Sequence, residues 1–334
     1  MKQRWIGSVG PPPLAREELE PIVAAVLPGV GLAELQPLSG GFRNHNYALR
    51  RAPDRSVPGL PDGAYLLRIY APGDSSAFKE QRIAELMRGV LRTPQYVRVE
   101  QIGARLVALR SFEVGQPLHE VLLDPARATF ALGVKLGETL AQLHAFRFER
   151  HGELDAHLRI VDAYDLSAGG LLGYVQQLLA GTSGARLGPE LCAGVLELWQ
   201  RHGRALEAWP ATPRLIHADF GPTNLILRED GALSVIDWEF ACSSSPVFDF
   251  GNLLRPPLES AADFQRGLAA GYEPVAGRLP ECWPLLARFA DTLAWLQLLS
   301  RPDCHSLVAT DARERLGSAI DILRGGWGRD GLGA

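Results

Sequence analysis

Three side chains that can offer oxygen to a cation, Asp219, Asn224 and Asp237, lie close together in the chain, the first two in LIHADFGPTN and the third in VIDWEF. Between them NLILREDGALSVID reads as two apolar-alternating segments around Asp230-Gly231, a dipeptide that tolerates positive φ and favours a two-residue type I′ hairpin turn. That turn pairs Glu229 with Ala232. Carried down the ribbon, the same register sets Asn224 opposite Asp237, with Cβ atoms roughly 5 Å apart. An amide oxygen and a carboxylate so placed can hold one divalent cation, and hard oxygen donors suit Mg²⁺. Asp219 enters from the loop before the hairpin. The chemistry that uses such a trio is phosphoryl transfer, in which a metal-bound triphosphate needs its charge neutralised and a nearby carboxylate takes the proton of the attacking hydroxyl. Each residue alone is equally at home capping a turn or ending a strand; the joint pattern with the hairpin register carries the argument.

The spacing His217-x-Asp219-x-x-x-x-Asn224 has the form of a kinase catalytic loop. Residues 215 to 251 resemble the signature region of the aminoglycoside phosphotransferase and choline kinase family: a His-x-Asp, an Asn five residues after that Asp, then an Asp-Trp pair beyond a hairpin, here His217, Asp219, Asn224, Asp237 and Trp238. The resemblance implies an α+β, protein-kinase-like two-lobe fold with a small antiparallel-sheet N-terminal lobe and a mainly helical C-terminal lobe. It also implies Asp219 as catalytic base, Asn224 and Asp237 as Mg²⁺ ligands, and ATP as phosphoryl donor. His217 is expected to tie the loop down. Asp249-Phe250-Gly251 spells the protein-kinase metal motif but follows the hairpin instead of closing it, so Asp249 is expected to hold the catalytic loop from below.

The elements that must position these groups read as follows. A helix is expected from Arg16 to Val26, then extended pieces on either side of Gly40-Gly41, a strand in AYLLRIYAP, and a helix from Ser75 to Val90 with Ile83, Met87 and Val90 on one face. Strands near Tyr96–Ile102 and Arg105–Phe112 complete a sheet of about five. The remainder is mainly helical apart from the catalytic hairpin. This divides the chain into a nucleotide-binding lobe over 1–115, with the hinge near 111–115, and a catalytic and substrate lobe over 116–334.

Within the first lobe, paired glycines let backbone amides approach phosphate, which makes Gly40, Gly41 and Asn44 the candidate phosphate loop. A double glycine is by itself a common turn; its place before a strand and its likeness to the family's Gly-Gly-x-x-Asn-x-x-Tyr pattern, through Asn44 and Tyr47, raise it above that. No GK[ST] occurs, which excludes P-loop NTPases. The chain has only Lys2, Lys79 and Lys135, none on an expected strand. Arg68 in YLLRIYA is therefore the candidate phosphate cation, its forked guanidinium suited to phosphate oxygens, unless it is an edge-strand arginine in solvent. It resembles the family's Leu-x-Arg-Ile-Tyr strand. Glu80, on the inward face with Ile83 and Met87, is preferred to Glu85 as its partner. Adenine is expected against the backbone near Glu113 in SFEVGQPL, and His144 in LGETLAQLHAF reads as a core or capping residue.

The acceptor is less legible. In WPLLARFADTLAWLQLLSR, Asp291 and Trp295 stand at i and i+4, a pair that suits a cationic amine through charge and cation–π attraction, although aromatics at this spacing also serve the core. Glu239 is a further candidate near the acceptor. The expected substrate is the hydroxyl of a small molecule, an amino alcohol such as choline or homoserine, or an aminoglycoside. An atypical protein kinase or a non-catalytic nucleotide-binding regulator of the same fold are the alternatives.

Composition agrees with an enzyme of this size. The chain has 334 residues, 46% of them hydrophobic, and a net charge of −4 that offers no invitation to nucleic acid or anionic membrane. No apolar leader or membrane-length run of about 18 residues is seen, so a cytoplasmic location is expected. Four cysteines without CxxC spacing read as free, mostly buried thiols.

Overall fold

A computed structural model describes residues 11–38, 43–49, 63–209 and 212–326. Helix α1 (Arg16–Val26) forms because Leu19, Ile22, Val23 and Val26 recur at helical spacing, and all four are buried. They lie on a five-stranded antiparallel sheet of β1 (Leu35–Leu38), β2 (His45–Leu49), β3 (Tyr65–Ile69), β4 (Tyr96–Ile102) and β5 (Arg105–Ser111), in the order β1-β2-β3-β5-β4. The period of two sorts β3 cleanly. Tyr65, Leu67 and Ile69 join Val107 and Leu109 in the core under α1, while Leu66 and Arg68 point to the other face. That face receives α2 (Ser76–Leu86) through Ala77, against Tyr70, Leu106 and Ala108. Ile83 and Met87 are buried as expected, but Val90 is exposed, because the helix stops at Leu86 and the chain turns before Val90 is reached.

The rest of the chain is mainly helical: β6 (Gln116–Pro117), α3 (Leu118–Val121), α4 (Phe130–Leu143), β7 (Gly152–Leu154), β8 (Ile160–Ala163), α5 (Ala168–Ala180), α6 (Thr182–Leu187), α7 (Pro189–His202), β9 (Arg214–Ile216), β10 (Leu225–Leu227), β11 (Leu233–Val235), β12 (Cys242–Ser244), α8 (Val247–Leu253), α9 (Ala262–Ala276), α10 (Trp283–Ser300) and α11 (Ser306–Gly326). The molecule is thus a two-lobe α+β fold. Its short strands make two small sheets, β11-β10-β6 and β8-β7-β12-β9, on which the site is mounted.

Helices α4 and α9 touch backbone to backbone. Gly133 and Gly137 on one face Gly267 and Gly271 on the other, and a Cβ at any of the four would collide with a carbonyl of the opposing helix. This approach brings His144, the C-cap of α4, beside Tyr272 of α9, with Nδ1 of the histidine 3.1 Å from the phenol oxygen. Gly137→Val is expected to force the helices apart and lower stability by about 1–3 kcal/mol, the usual cost of overpacking. A urea titration reads this directly, and an unchanged midpoint would contradict the close packing.

The four cysteines are free thiols, but only Cys242 is buried and the other three are partly exposed. Among the described residues no helix is long and apolar enough to cross a membrane.

Candidate active site

A cleft of about 1270 Å³ runs from the sheet across the hairpin to the ends of α5 and α10. Single-ligand pockets are roughly 300–1,000 Å³, so the volume accommodates two molecules. Asp219, Asn224, Asp237, Glu239, Arg68 and Glu113 all line it.

Its centre is the loop after β9. Asp249, at the start of α8 and fully buried, accepts the backbone N–H of His217 at Oδ2 and that of Ala218 at Oδ1, each at 2.8 Å. Ala218 sits at φ 61°, so successive amides converge on the carboxylate as an anion-binding nest. His144 Nε2 lies 3.1 Å from Asp249 Oδ2, which ties α4 to the same anchor. Asp249 therefore holds the loop from below. Gly251 is required two residues on, because a Cβ there would meet the Ala287 carbonyl of α10 at 2.6 Å. His217 is structural as well: its Nε2 is 2.9 Å from the Ile236 carbonyl and its Nδ1 accepts the Asp219 N–H at 3.2 Å. Trp238 packs on the imidazole with centroids 4.6 Å apart, and its indole N–H donates to Thr93 Oγ1 at 2.7 Å. The loop thus carries Asp219 on a frame that does not depend on the Asp219 side chain.

Asn224 donates from Nδ2 to Asp219 Oδ2 at 2.8 Å and to the Asp219 carbonyl at 2.9 Å. Spending the amide N–H₂ in this way leaves Oδ1 as the acceptor available to a ligand.

The hairpin reaches this arrangement by a different register from the one expected. Leu225 pairs with Val235, Ile226 with Ser234 and Leu227 with Leu233, and the Ile236 N–H bonds the Asn224 carbonyl at 2.9 Å. Asn224 is therefore opposite Ile236, not Asp237. The turn is longer by one residue: Gly231 N–H donates to Arg228 O, Arg228 N–H to Ala232 O, and Gly231 takes φ 76°. This is a three-residue loop with glycine in the left-handed position, and Asp230 Oδ1 accepts the Ala232 N–H to hold it. A one-residue slip sends alternate side chains to the opposite face. Asp237 would point away from Asn224 if the strand continued, but the strand does not continue. At φ 69° Asp237 leaves the extended region, and both residues line the cleft. A left-handed non-glycine residue costs roughly 1–2 kcal/mol, and such strain gathers at functional positions.

Arg68 stands on a central strand, buried, and is no edge residue in solvent. Its Nη1 is 2.7 Å from Asp237 Oδ1 and 3.7 Å from Glu80, and its Nη2 is 3.2 Å from Glu239. Burial alone would raise the Asp237 pKa; the guanidinium beside it, with Arg110 and His217 behind, holds it down at about 2. Glu239 goes the other way: burial first, then the adjacent Asp237 charge, push it up to about 7. Of the two carboxylates of α2, Glu80 is fully buried and lies 3.7 Å from Arg68, behind Asp237 and Glu239, whereas Glu85 pairs with Arg82 on the surface. Glu80 also accepts from Tyr70 and Tyr96 and lies 3.6 Å from Arg110. Arg110 and the two tyrosines escaped sequence reasoning, although alternation along β5 sends Arg110 to the same face as Leu106 and Ala108.

Asn44, just before β2, is buried: its Oδ1 accepts the Ala71 N–H at 3.0 Å, and its Nδ2 is 3.4 Å from Glu239. Gly40 and Gly41 lie outside the described residues. Glu113 bridges the linker to the hairpin, accepting from Ser111 at 2.9 Å and from Ser234 at 2.7 Å. Apolar residues converge beside it, Leu38 and Leu66 from the sheet, Phe112 from the linker, and Ile226 and Ile236 from the hairpin.

A profile of the phosphotransferase enzyme family matches residues 34–283, most of the chain and, within the site, everything from the sheet to the hairpin and α8. The chain belongs to that family. This phosphotransferase, an enzyme with an alcohol group as acceptor, is 28% identical over 278 residues to a homoserine kinase from Gluconobacter oxydans (strain 621H), covering 78% of this chain and 79% of the relative. Among solved structures it resembles aminoglycoside phosphotransferase APH(4)-Ia at 16% identity, with a TM-score of 0.70 and coverage of 92% of this chain and 99% of that one. It likewise resembles a thermostable mutant of that enzyme in ternary complex with AMP-PNP and hygromycin B, at 16% identity, TM-score 0.67, and coverage of 91% and 98%. These likenesses give the phosphotransferase a kinase-like two-lobe fold.

One expectation for the acceptor is corrected. Asp291 and Trp295 do share a helix face, but they do not line the cleft. Arg255 takes Asp291 through Nε at 3.0 Å and Nη2 at 2.6 Å, the Trp295 indole N–H donates to the same carboxylate at 2.8 Å, and the Arg255 guanidinium lies 4.6 Å from the Trp295 ring centroid. The cation for this carboxylate and aromatic pair is a residue of the chain itself. Trp295 is only 2% exposed, which leaves a substrate amine no approach. Glu239 lines the cleft, where its partners are Arg68 and Asn44. The cleft is also lined by Glu153, Asp162 and Tyr164 of the β7–β8 region, by Tyr174 of α5 and by Arg301. No periodic signal marks them as a group, because they come from short strands, a loop, the middle of α5 and the end of α10.

Proposed function

We propose that this phosphotransferase moves the γ-phosphoryl group of ATP, with Mg²⁺, to the hydroxyl of a small molecule in the cytoplasm. The observation that carries the reading is the cluster itself: Asn224 bonded to Asp219 at 2.8 Å, in the same cleft as an Asp237 kept ionised by Arg68 at 2.7 Å. No group of three or more His, Cys, Asp or Glu among the described residues could hold a metal alone. One amide oxygen and one carboxylate fit Mg²⁺ well, since that ion keeps waters and phosphate oxygens as its other ligands. Asn224 Oδ1 and Asp237 would hold the ion, which supplies neutralisation of charge on the transferring phosphoryl group. The AMP-PNP complex of the structural relative supports nucleotide use.

In this reading Asp219 orients the acceptor hydroxyl and receives its proton as the oxygen forms a bond to the γ-phosphorus. The bond from that phosphorus to the β–γ bridging oxygen breaks, and its electron pair leaves with ADP. Adenine would lie against the apolar side chains of Leu66 and Ile236, near Glu113, with phosphates toward Arg68 and Asn44; Gly40 and Gly41 keep the phosphate-binding role expected from the sequence. Glu80 fixes Arg68. Most of the catalysis is positioning and charge neutralisation. Amino alcohols, homoserine and aminoglycosides are the acceptor classes to test, homoserine on the strength of the 28% identical relative.

Thermal shift with ATP and Mg²⁺, followed by an ATP-consumption screen over these acceptors, tests the proposal. A rise in melting temperature and acceptor-dependent ADP release are expected. Nucleotide binding with no turnover on any acceptor would overturn it.

A further inference from the structure

Several charged side chains of the cleft beyond the proposed phosphate site are already engaged by the protein, while the carboxylates Asp162 and Asp303 also line it. Arg255 is taken up by Asp291. Glu153 accepts from buried Lys79 at 2.8 Å and from the Tyr164 hydroxyl at 2.8 Å. Asp165 is spent on the Ser167 N–H at the start of α5. Arg301, at the end of α10, is different. Among the described residues its side chain makes no ion pair and no hydrogen bond; its guanidinium carbon lies 4.6 Å from the centroid of Phe240, the residue after Glu239.

The ordinary use for an arginine at this position is to satisfy the carbonyls at the helix end. Here another residue does that. Arg186 Nη1 bonds the Leu299 carbonyl at 2.5 Å and the Arg301 carbonyl at 2.6 Å. Arg301 is thereby relieved of capping, partly buried, and laid against an aromatic ring in the wall that also carries Asp237. A cation–π contact takes up no hydrogen-bond donor, so the forked N–H groups remain to grip a planar anion bidentately.

We propose that Arg301, braced on Phe240, binds a carboxylate of the acceptor, so that the substrate class is a small hydroxy acid or hydroxy amino acid. This rests on the phosphotransferase reading above and narrows it. With an acid anchored at Arg301, a hydroxyl on the same small molecule is presented toward Asp219.

The test uses the full chain with ATP and Mg²⁺ and compares L-homoserine, 4-hydroxybutyrate and glycerate with 3-aminopropan-1-ol, choline and hygromycin B. Wild type is expected to turn over at least one of the acids, with homoserine preferred to its decarboxylated counterpart 3-aminopropan-1-ol. Arg301→Gln is expected to raise KM for the acids by roughly 10–100-fold, the range for a lost charge-assisted pair, with kcat and nucleotide Kd little changed. Arg301→Lys, which keeps charge but not the fork, should fall between. Calorimetric binding of the same acids with AMP-PNP present gives a reading independent of turnover. The proposal is overturned if the uncharged or cationic acceptors match the acids in kcat/KM, if Arg301→Gln affects all acceptors alike, or if none of the acids binds. Failure of the phosphotransferase reading looks different: no acceptor stimulates ATP consumption, and the calorimetric arm still decides whether Arg301 holds an acid.

Discussion

Asp219→Asn is expected to lower kcat by roughly 10²–10⁴-fold, the range that a positioned general base supplies, while the nucleotide Kd moves by less than about a factor of three. The substitution preserves shape and leaves an oxygen able to accept from Asn224, but an amide cannot take up the proton of the attacking hydroxyl. The loop should stay in place because its supports are elsewhere, in the two backbone amides on Asp249 at 2.8 Å and the imidazole of His217 against Ile236 at 2.9 Å. Steady-state kinetics with the best acceptor and calorimetry with AMP-PNP separate the two effects. Loss of binding in step with turnover would place Asp219 in the nucleotide site, and an unchanged kcat would remove it from the chemistry.

The second large effect falls on stability. Asp249→Ala is expected to cost about 3–5 kcal/mol, since it leaves the N–H groups of His217 and Ala218 buried without partners and strips His144 of its carboxylate, and each orphaned polar group costs about 1–3 kcal/mol. Asp249→Asn should recover only part of this. With its oxygen facing His217 N–H and His144, its amide N–H₂ opposes the Ala218 N–H, a donor against a donor. Urea midpoints of the two variants check the order, and activity should fall with both because the loop carrying Asp219 loses its seat. A midpoint for Asp249→Ala within about 0.5 kcal/mol of wild type, the scatter of neutral surface changes, would show that the loop is held by something else. The contrast with Asp219→Asn separates a residue that does chemistry from one that supports it.

Legibility differed between the parts of the site. Asp219, Asn224 and Asp237 could be found because the loop and hairpin bring them together within a short span of chain, where spacing maps onto geometry. The register was read wrongly by one residue: Asp-Gly suits both a two-residue turn and a three-residue loop ending in left-handed glycine, and local preference does not separate them. Arg68 is legible by elimination, as a cation on an expected strand in a chain whose three lysines lie off the strands, and Glu80 by helical spacing. Asp291 and Trp295 were found as a pair by the same helical rule but given the wrong partner, because the rule says which residues share a face and not what covers it. Arg255, which covers it, is 36 residues away in sequence.

By itself the chain determined the family signature, the order of strands and helices in the first lobe, and the types of group available for catalysis. All of these rest on contacts between near neighbours, whose periods of 2 and 3.6 are written in the order of residues. Tertiary structure alone decided that Asp237 turns into the cleft through a left-handed backbone, that α4 and α9 meet glycine on glycine so that His144 and Tyr272 gather at Asp249, and that Arg301 finds no counter-ion among the described residues. Each depends on which distant segment arrives first at a limited set of hydrogen-bond and packing positions. That competition is settled only when the whole chain is folded.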